Sequence, residues 1–175
     1  MATWQSQIQK LVRVAKQLPE PLNEAFSARP SSGGSWPSSL PPCPALQEFY
    51  KLCDGGTFSH YSLHPLAELH EFQEDDEAEP GRYLAIGDTE FGHSLVWDSV
   101  EDRVGYYDFD GADGFVMSDE TGAELMGRPM AGFLAGLFSP PRRTRGDQVQ
   151  QMWAQVLAEL KRVAEPTAAP DLGGR

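Results

Sequence analysis

Between residues 82 and 119 the chain carries four short apolar segments, "RYLAIGD", "HSLVWDS", "VGYYDFD" and "GFVMSD". Parallel strands need a crossover of a dozen residues or more, and the links here are far shorter. Consecutive segments therefore pair as hairpins, and "VEDR" (100–103) is a turn between two of them. This stretch commits the chain to an antiparallel sheet, and every other element has to pack around it.

The flanking segments read as helices. Trp4, Ile8, Leu11, Val12, Ala15 and Leu18 recur at three- and four-residue steps, with Thr3 as N-cap and Pro19 and Pro21 as terminators. Leu22 to Phe26 forms a second short turn. The segment "SARPSSGGSWPSSLPPCP" (27–44) has loop composition, with Trp36 and Leu40 pinning it to the body. "ALQEFYKLC" (45–53) places Leu46, Phe49, Tyr50 and Cys53 on one helical face behind Pro44. Gly55 and Gly56 follow directly and read as a left-handed C-cap, since glycine reaches positive φ without steric cost. They come after a helix and lack a following GKS or GKT, so a phosphate-binding loop is excluded. "TFSHYSLHPL" (57–66) alternates like one strand. "AELHEFQEDDEAEPG" (67–81) starts as a short helix or turn and becomes an acidic loop.

Towards the C-terminus, "RPMAGFLAGLF" (128–138) is an apolar helix ending before Pro140. In 147–164 Val149, Met152, Trp153, Val156, Leu157, Leu160 and Val163 form one continuous stripe. The fold class expected is α+β: a mostly antiparallel twisted sheet flanked by helices, with an extra C-terminal amphipathic helix. Three regions follow: 1–43 as N-terminal helix and loop, 44–138 as core domain, and 139–175 as C-terminal helix and tail. A hydrophobic fraction of 40% over 175 residues suits one core and no second full domain.

Charge narrows the function. The formal net charge is -12, and the stretch 68–79 contains seven acids without a Lys or Arg. Such a field repels nucleic acid and anionic membrane and attracts basic partners. No segment has the apolar length of a membrane span. "MATWQSQIQKLVRVAKQ" interrupts its apolar residues with Gln and Lys, unlike a secretion signal. A soluble, cytoplasmic protein is expected, with no membrane or nucleic-acid partner. Cys43 and Cys53 bracket a helix and have no CxxC partner, so they read as buried thiols.

Catalytic and metal patterns were tested and fail. His60 and His64 are four apart, yet Pro65 and the neighbouring Ser and Tyr place them on a strand or loop, with no HExxH. "DFDGADG" (108–114) departs from a calcium loop at Ala112, Asp113 and Asp119, and Gly111 and Gly114 suit a turn instead. No G-x-S-x-G elbow occurs. No catalytic residue, metal or cofactor is assigned. Trp97, Tyr106, Tyr107 and Phe109 alternate across neighbouring strands. Either they all pack inward, or one set forms an exposed patch rimmed by Asp98, Asp108 and Asp110.

In order along the chain, "PALQEFYKLCDGG" (44–56), "LAIGDTEFGHSLVWD" (84–98), "RVGYYDFDG" (103–111) and "MAGFLAGLF" (130–138) resemble the SUKH superfamily of Smi/Knr-type cell-wall regulators and bacterial toxin-immunity proteins. The resemblance covers residues 44–138. It implies an α+β domain that binds proteins and has no active site, most often an immunity protein that neutralises a nuclease toxin. The implied partner is a basic protein such as a nuclease toxin, met by an acidic surface that mimics phosphate. The alternative within the family is an intracellular regulatory or scaffold protein with an endogenous partner. A hydrolase with converging carboxylates is a third class, which would require a deep pocket holding two acids. Candidate binding residues, from charge and aromatic placement, are Glu74, Asp75, Asp76, Glu77, Asp98, Tyr106, Asp108, Asp110 and Asp113. Gly55, Gly56, Gly87 and Gly92 are expected to be structural.

Overall fold

A computed structural model describes residues 3–20, 22–73, 79–108, 114–116, 125–137, 154–156, 158–159 and 161–162. Helix α1 (Trp4–Val14) begins at Thr3, whose Oγ1 accepts from the Ser6 amide at 3.3 Å. Its Ile8, Leu11 and Val14 are buried, and Val12 packs against them from the margin. The chain tightens into a 3₁₀ turn (Ala15–Gln17) before Pro19. A one-turn helix α2 (Leu22–Ala25) then runs directly into strand β1 (Phe26–Pro30).

Strand β1 corrects the reading of 27–44 as loop throughout. Phe26 and Ala28 alternate inward, and that short period is hidden by the Pro, Ser and Gly around it. Pro30 is tolerated because β1 lies at the sheet edge, where a missing N–H breaks no ladder. The remainder, 31–43, has neither helix nor strand. Trp36 packs beside Tyr50 with ring centroids 6.4 Å apart, so its role is packing as expected.

Helix α3 (Pro44–Leu52) buries Leu46, Phe49 and Tyr50, with Pro44 in its first turn. The helix-cap reading of Gly55-Gly56 is overturned here. Cys53 is already extended (φ -151°, ψ 161°), and both glycines lie inside strand β2 (Cys53–Phe58). They are required by neighbouring strands on either side. A Cβ on Gly55 (φ +78°) would sit 2.5 Å from the Leu63 carbonyl oxygen and 2.6 Å from that of His64, and one on Gly56 would overlap the Ser27 carbonyl. The expected single strand 57–66 is also corrected. It folds back at Ser59 (φ +59°) and His60, so that β2 pairs antiparallel with β3 (Tyr61–Leu63). The turn lacks the usual Gly, Asn or Asp, which is why composition concealed it.

A 3₁₀ turn (Leu66–Glu68) and the two-residue strand β4 (His70–Glu71) lead to the antiparallel run anticipated from the short links. It comprises β5 (Tyr83–Thr89), β6 (Ser94–Asp98), β7 (Arg103–Tyr107) and β8 (Phe115–Val116). The eight strands form one sheet, ordered β1-β2-β3-β5-β6-β7-β8, with β4 also on β5. A bulge between Ala85 and Gly87 turns both Ile86 and Gly87 towards the core. Helix α4 (Met130–Gly136) buries Met130, Phe133 and Leu134. Residues 154–156, 158–159 and 161–162 are helical, and Val156, the one stripe residue among them, is fully buried; the rest of the expected stripe, Val149, Met152, Trp153, Leu157, Leu160 and Val163, lies outside the described residues.

The helices cover one face of the sheet. Ile8, Leu11 and Phe26 share a single hydrophobic cluster with Phe49, Leu95, Phe133 and Val156. The boundary drawn at residues 43/44 therefore divides no core. The region before it supplies an edge strand and part of the buried interior.

Candidate protein-binding surface

The alternation that sends Leu84, Leu95, Trp97 and Val104 into the core sends their neighbours to the other face. Cross-strand partners share a face, so the register lines up Ser27, Thr57, Ser62, Asp88, Ser94 and Tyr107 in one row across the outer side. All six are half-buried. Towards β8 the row becomes aromatic. Tyr83 stacks on Phe115 at 4.4 Å between centroids, Tyr107 meets Phe115 at 5.1 Å, and Phe72 meets Tyr107 at 5.2 Å. Ala85, Val96 and Gly105 are buried cross-strand partners on this same face.

At one end of this face, the turn from Thr89 to His93 is tightly laced. The Thr89 amide donates to the His93 carbonyl at 2.8 Å, and the Gly92 amide donates to the Thr89 carbonyl at 3.0 Å. The Glu90 amide donates to the His60 carbonyl at 2.8 Å, tying this turn to the β2–β3 turn. Gly92 (φ +81°) supplies the left-handed residue that the turn needs. At its tip stands Phe91, 70% exposed, one of two large apolar residues so exposed among the described residues. The other is Val100, in the turn at the opposite end of β6.

Acid and imidazole pair along this end of β3, β5 and β6. His60 Nδ1 lies 2.8 Å from a Glu90 carboxylate oxygen, His64 Nε2 3.8 Å from Asp88, and His93 Nδ1 3.7 Å from Asp108. His93 also stacks on Tyr106 with centroids 5.5 Å apart. The Asp108 amide donates to the Gly114 carbonyl at 2.8 Å, closing the base of the following loop.

The structure divides the candidates inferred from sequence. Tyr106 and Asp108 come together through His93 at the Phe91 end, although Tyr106 is largely packed on the core side. Asp98 is a correction. It is only 4% exposed and sits at the far end of β6, where its carboxylate accepts two-pronged hydrogen bonds from Arg82, with Nη2 to Oδ2 at 2.9 Å. Oδ1 also accepts from the Val100 amide at 2.9 Å. Burial opposes the charge on Asp98, but the Arg82 bonds and the Val100 and Glu101 amides outweigh it and hold the carboxyl below its ordinary range. Asp98 is therefore a turn-forming, ion-paired acid and not part of an exposed rim. Glu74, Asp75, Asp76, Glu77, Phe109, Asp110 and Asp113 lie outside the described residues. Gly87 is structural in the same sense as Gly56, since a Cβ there would overlap the Ser62 carbonyl.

Sequence reasoning passed over Phe91, Asp88 and Glu90. The available signal was an aromatic within a Gly-containing turn, "TEFGH", where solvent-facing residues are expected. Other ionisable groups point to structure. Glu71 is held low by the Gly81 amide and the Gln73 side chain. Burial pushes the Cys43 thiol up to about 11 and the Cys53 thiol up to about 12, and both cysteines are free. Among the described residues no three His, Cys, Asp or Glu side chains gather as a metal site would require. No helix of the described residues is long and apolar enough to cross a membrane. Comparison with protein-family models, curated proteins and solved structures found no match for this chain.

Proposed function

We propose that this chain is a non-catalytic protein-binding domain that docks a basic protein through the Phe91 end of its sheet. In the fuller form of the proposal it is a cytoplasmic immunity protein of the SUKH type, and the partner is a toxin with a cationic, nucleic-acid-cleaving surface. The observation that carries the reading is Phe91 itself: an exposed ring on a hydrogen-bonded turn, next to Glu90 in that turn and three residues after Asp88 of β5. Interfaces of high affinity pair a central aromatic anchor with a polar rim, and complementary charge on the rim speeds encounter. A rigid turn holds the ring in place before binding, so little ordering entropy is lost on association. The net charge of -12 extends the attraction beyond contact distance.

The test is capture from the native host with wild type and Phe91→Ala in parallel, washed at low and then high ionic strength and read by mass spectrometry. A basic protein retained by wild type and lost with Phe91→Ala is the expected result. Equal retention of every captured protein by the two chains would overturn the proposal.

A further inference from the structure

At the Phe91 end the chain presents a ring and a carboxylate from consecutive residues. The Gly92 amide closes a four-residue turn onto the Thr89 carbonyl, which puts Glu90 and Phe91 at its two central positions. The His93 amide donates to Thr89 Oγ1 at 3.2 Å and stiffens the same turn. Glu90 is held twice by the neighbouring β2–β3 turn: its amide donates to the His60 carbonyl, and its carboxylate oxygen Oε2 lies 2.8 Å from His60 Nδ1. The other oxygen, Oε1, makes no bond among the described residues. Phe91, next in the turn, is exposed.

The chain itself shows what a ring and a carboxylate so placed can hold. At the opposite end of β5, Arg82 lies with Cζ 5.2 Å from the centre of the Tyr83 ring, while its Nε and Nη2 donate to Asp98 Oδ2 at 3.2 and 2.9 Å. A guanidinium suits both partners at once, because its flat face meets the negative face of a ring and its N–H fork meets a carboxylate. A lysine ammonium is a compact, strongly hydrated charge without that fork, so it gains less from the same pair. Among the described residues neither Asp88 nor Glu90 is ion-paired with a Lys or Arg. Arg103 is the only Lys or Arg between Tyr83 and Met126, and its cross-strand partner is Asp98, at the far end of β6.

We infer that the Glu90–Phe91 tip is an arginine-recognition site: a guanidinium of the partner stacks on Phe91 and donates to Glu90 Oε1, with His60 fixing the carboxylate. This rests on the docking surface proposed above and names the side chain that surface takes from its basic partner. Lysine-rich surfaces of equal charge are drawn in by the same long-range field but are held less well on contact.

The test compares two blocked peptides of equal length and charge, oligoarginine and oligolysine, by amide chemical-shift mapping. Oligoarginine should shift Glu90, Phe91 and Gly92 of the wild type and bind at this tip about fivefold or more tightly than oligolysine. Phe91→Leu removes the ring at an exposed position and should cut the preference to within about twofold, whereas Phe91→Tyr keeps a ring face and should retain it. Glu90→Gln should weaken oligoarginine at the tip and leave shifts elsewhere on the acidic surface unchanged. Equal affinity of the two peptides at the tip overturns arginine recognition and leaves an electrostatic docking surface standing. A preference that survives Phe91→Leu overturns it too, since the ring then contributes nothing. Absence of shifts at the tip with either peptide also overturns it; the docking surface is judged separately, by capture of a basic protein with wild type against Phe91→Ala.

Discussion

Replacing Asp98 by Ala removes the acceptor for Arg82 and for the amides of Val100 and Glu101 in one step. The Asp98 side chain is 5% exposed, so its bonds to a charged donor are worth about 1.5–3 kcal/mol. The two turn amides sit beside exposed residues where water can replace the carboxylate, and about 1 kcal/mol each is the low end of their cost. The total for Asp98→Ala is about 3.5–5 kcal/mol, within the range for breaking a buried ion pair. For a chain of this size that lowers Tm by roughly 7–20 °C. Asp98→Asn keeps the Oδ1 acceptor for the turn and loses only the ionic part, so it should cost about half as much.

The pH dependence gives the sign. The folded pKa of Asp98 lies below its ordinary value of 3.8, so its ionic stabilisation is complete above about pH 5 and is lost as pH falls through the folded pKa. Thermal melts of the wild type and both variants, run from about pH 7 down to about pH 2, should therefore show the wild-type advantage over Asp98→Asn constant and then closing. An advantage that persists undiminished at the acid end would refute the ionic account. So would an Asp98→Ala variant within about 0.5 kcal/mol of wild type, the range of ordinary surface substitutions.

Three further outcomes follow from the fold. Gly55→Asn should destabilise by about 2 kcal/mol or more in urea unfolding, because any Cβ meets the Leu63 and His64 carbonyls; a helix cap would accept Asn with little loss, so near-neutrality would restore the cap reading. Phe26→Ala should cost about 3–5 kcal/mol in the same assay, since Phe26 is 1% exposed and belongs to the common core; a small cost would mean that the N-terminal region is an appendage. Cys43 and Cys53 should react with a thiol reagent at pH 8 only on unfolding, because burial disfavours the thiolate at both; fast labelling of the native chain would contradict their placement.

The antiparallel run from β5 to β8 was legible in the sequence because short links leave no other pairing. The faces of α1 and α3 were legible through three- and four-residue spacing. What escaped was set by partners distant in sequence. Gly55 and Gly56 follow a helix and carry positive φ, the local signature of a cap. Only the approach of Ser27 on one side and Leu63 on the other makes them strand residues. Strand β1 has too few residues to overcome its proline and serine neighbours, and it exists because β2 offers an edge. At the surface, acid count alone could not separate Asp98, drawn inward by Arg82, from Asp88 and Glu90 beside an exposed ring. Charge density indicates a surface, whereas the register of β5 and β6 decides which acids belong to it.

The most direct test of the docking claim is the kinetics of association with the captured basic partner, measured across ionic strength for wild type, Phe91→Ala and the Asp88→Asn, Glu90→Gln pair. Loss of the anchor should raise koff about thirtyfold, equivalent to about 2 kcal/mol, while kon is little changed. Loss of the two acids should lower kon and flatten its dependence on salt. Rates for Phe91→Ala identical to wild type, at every salt concentration, would contradict the assignment of this end of the sheet as the docking surface.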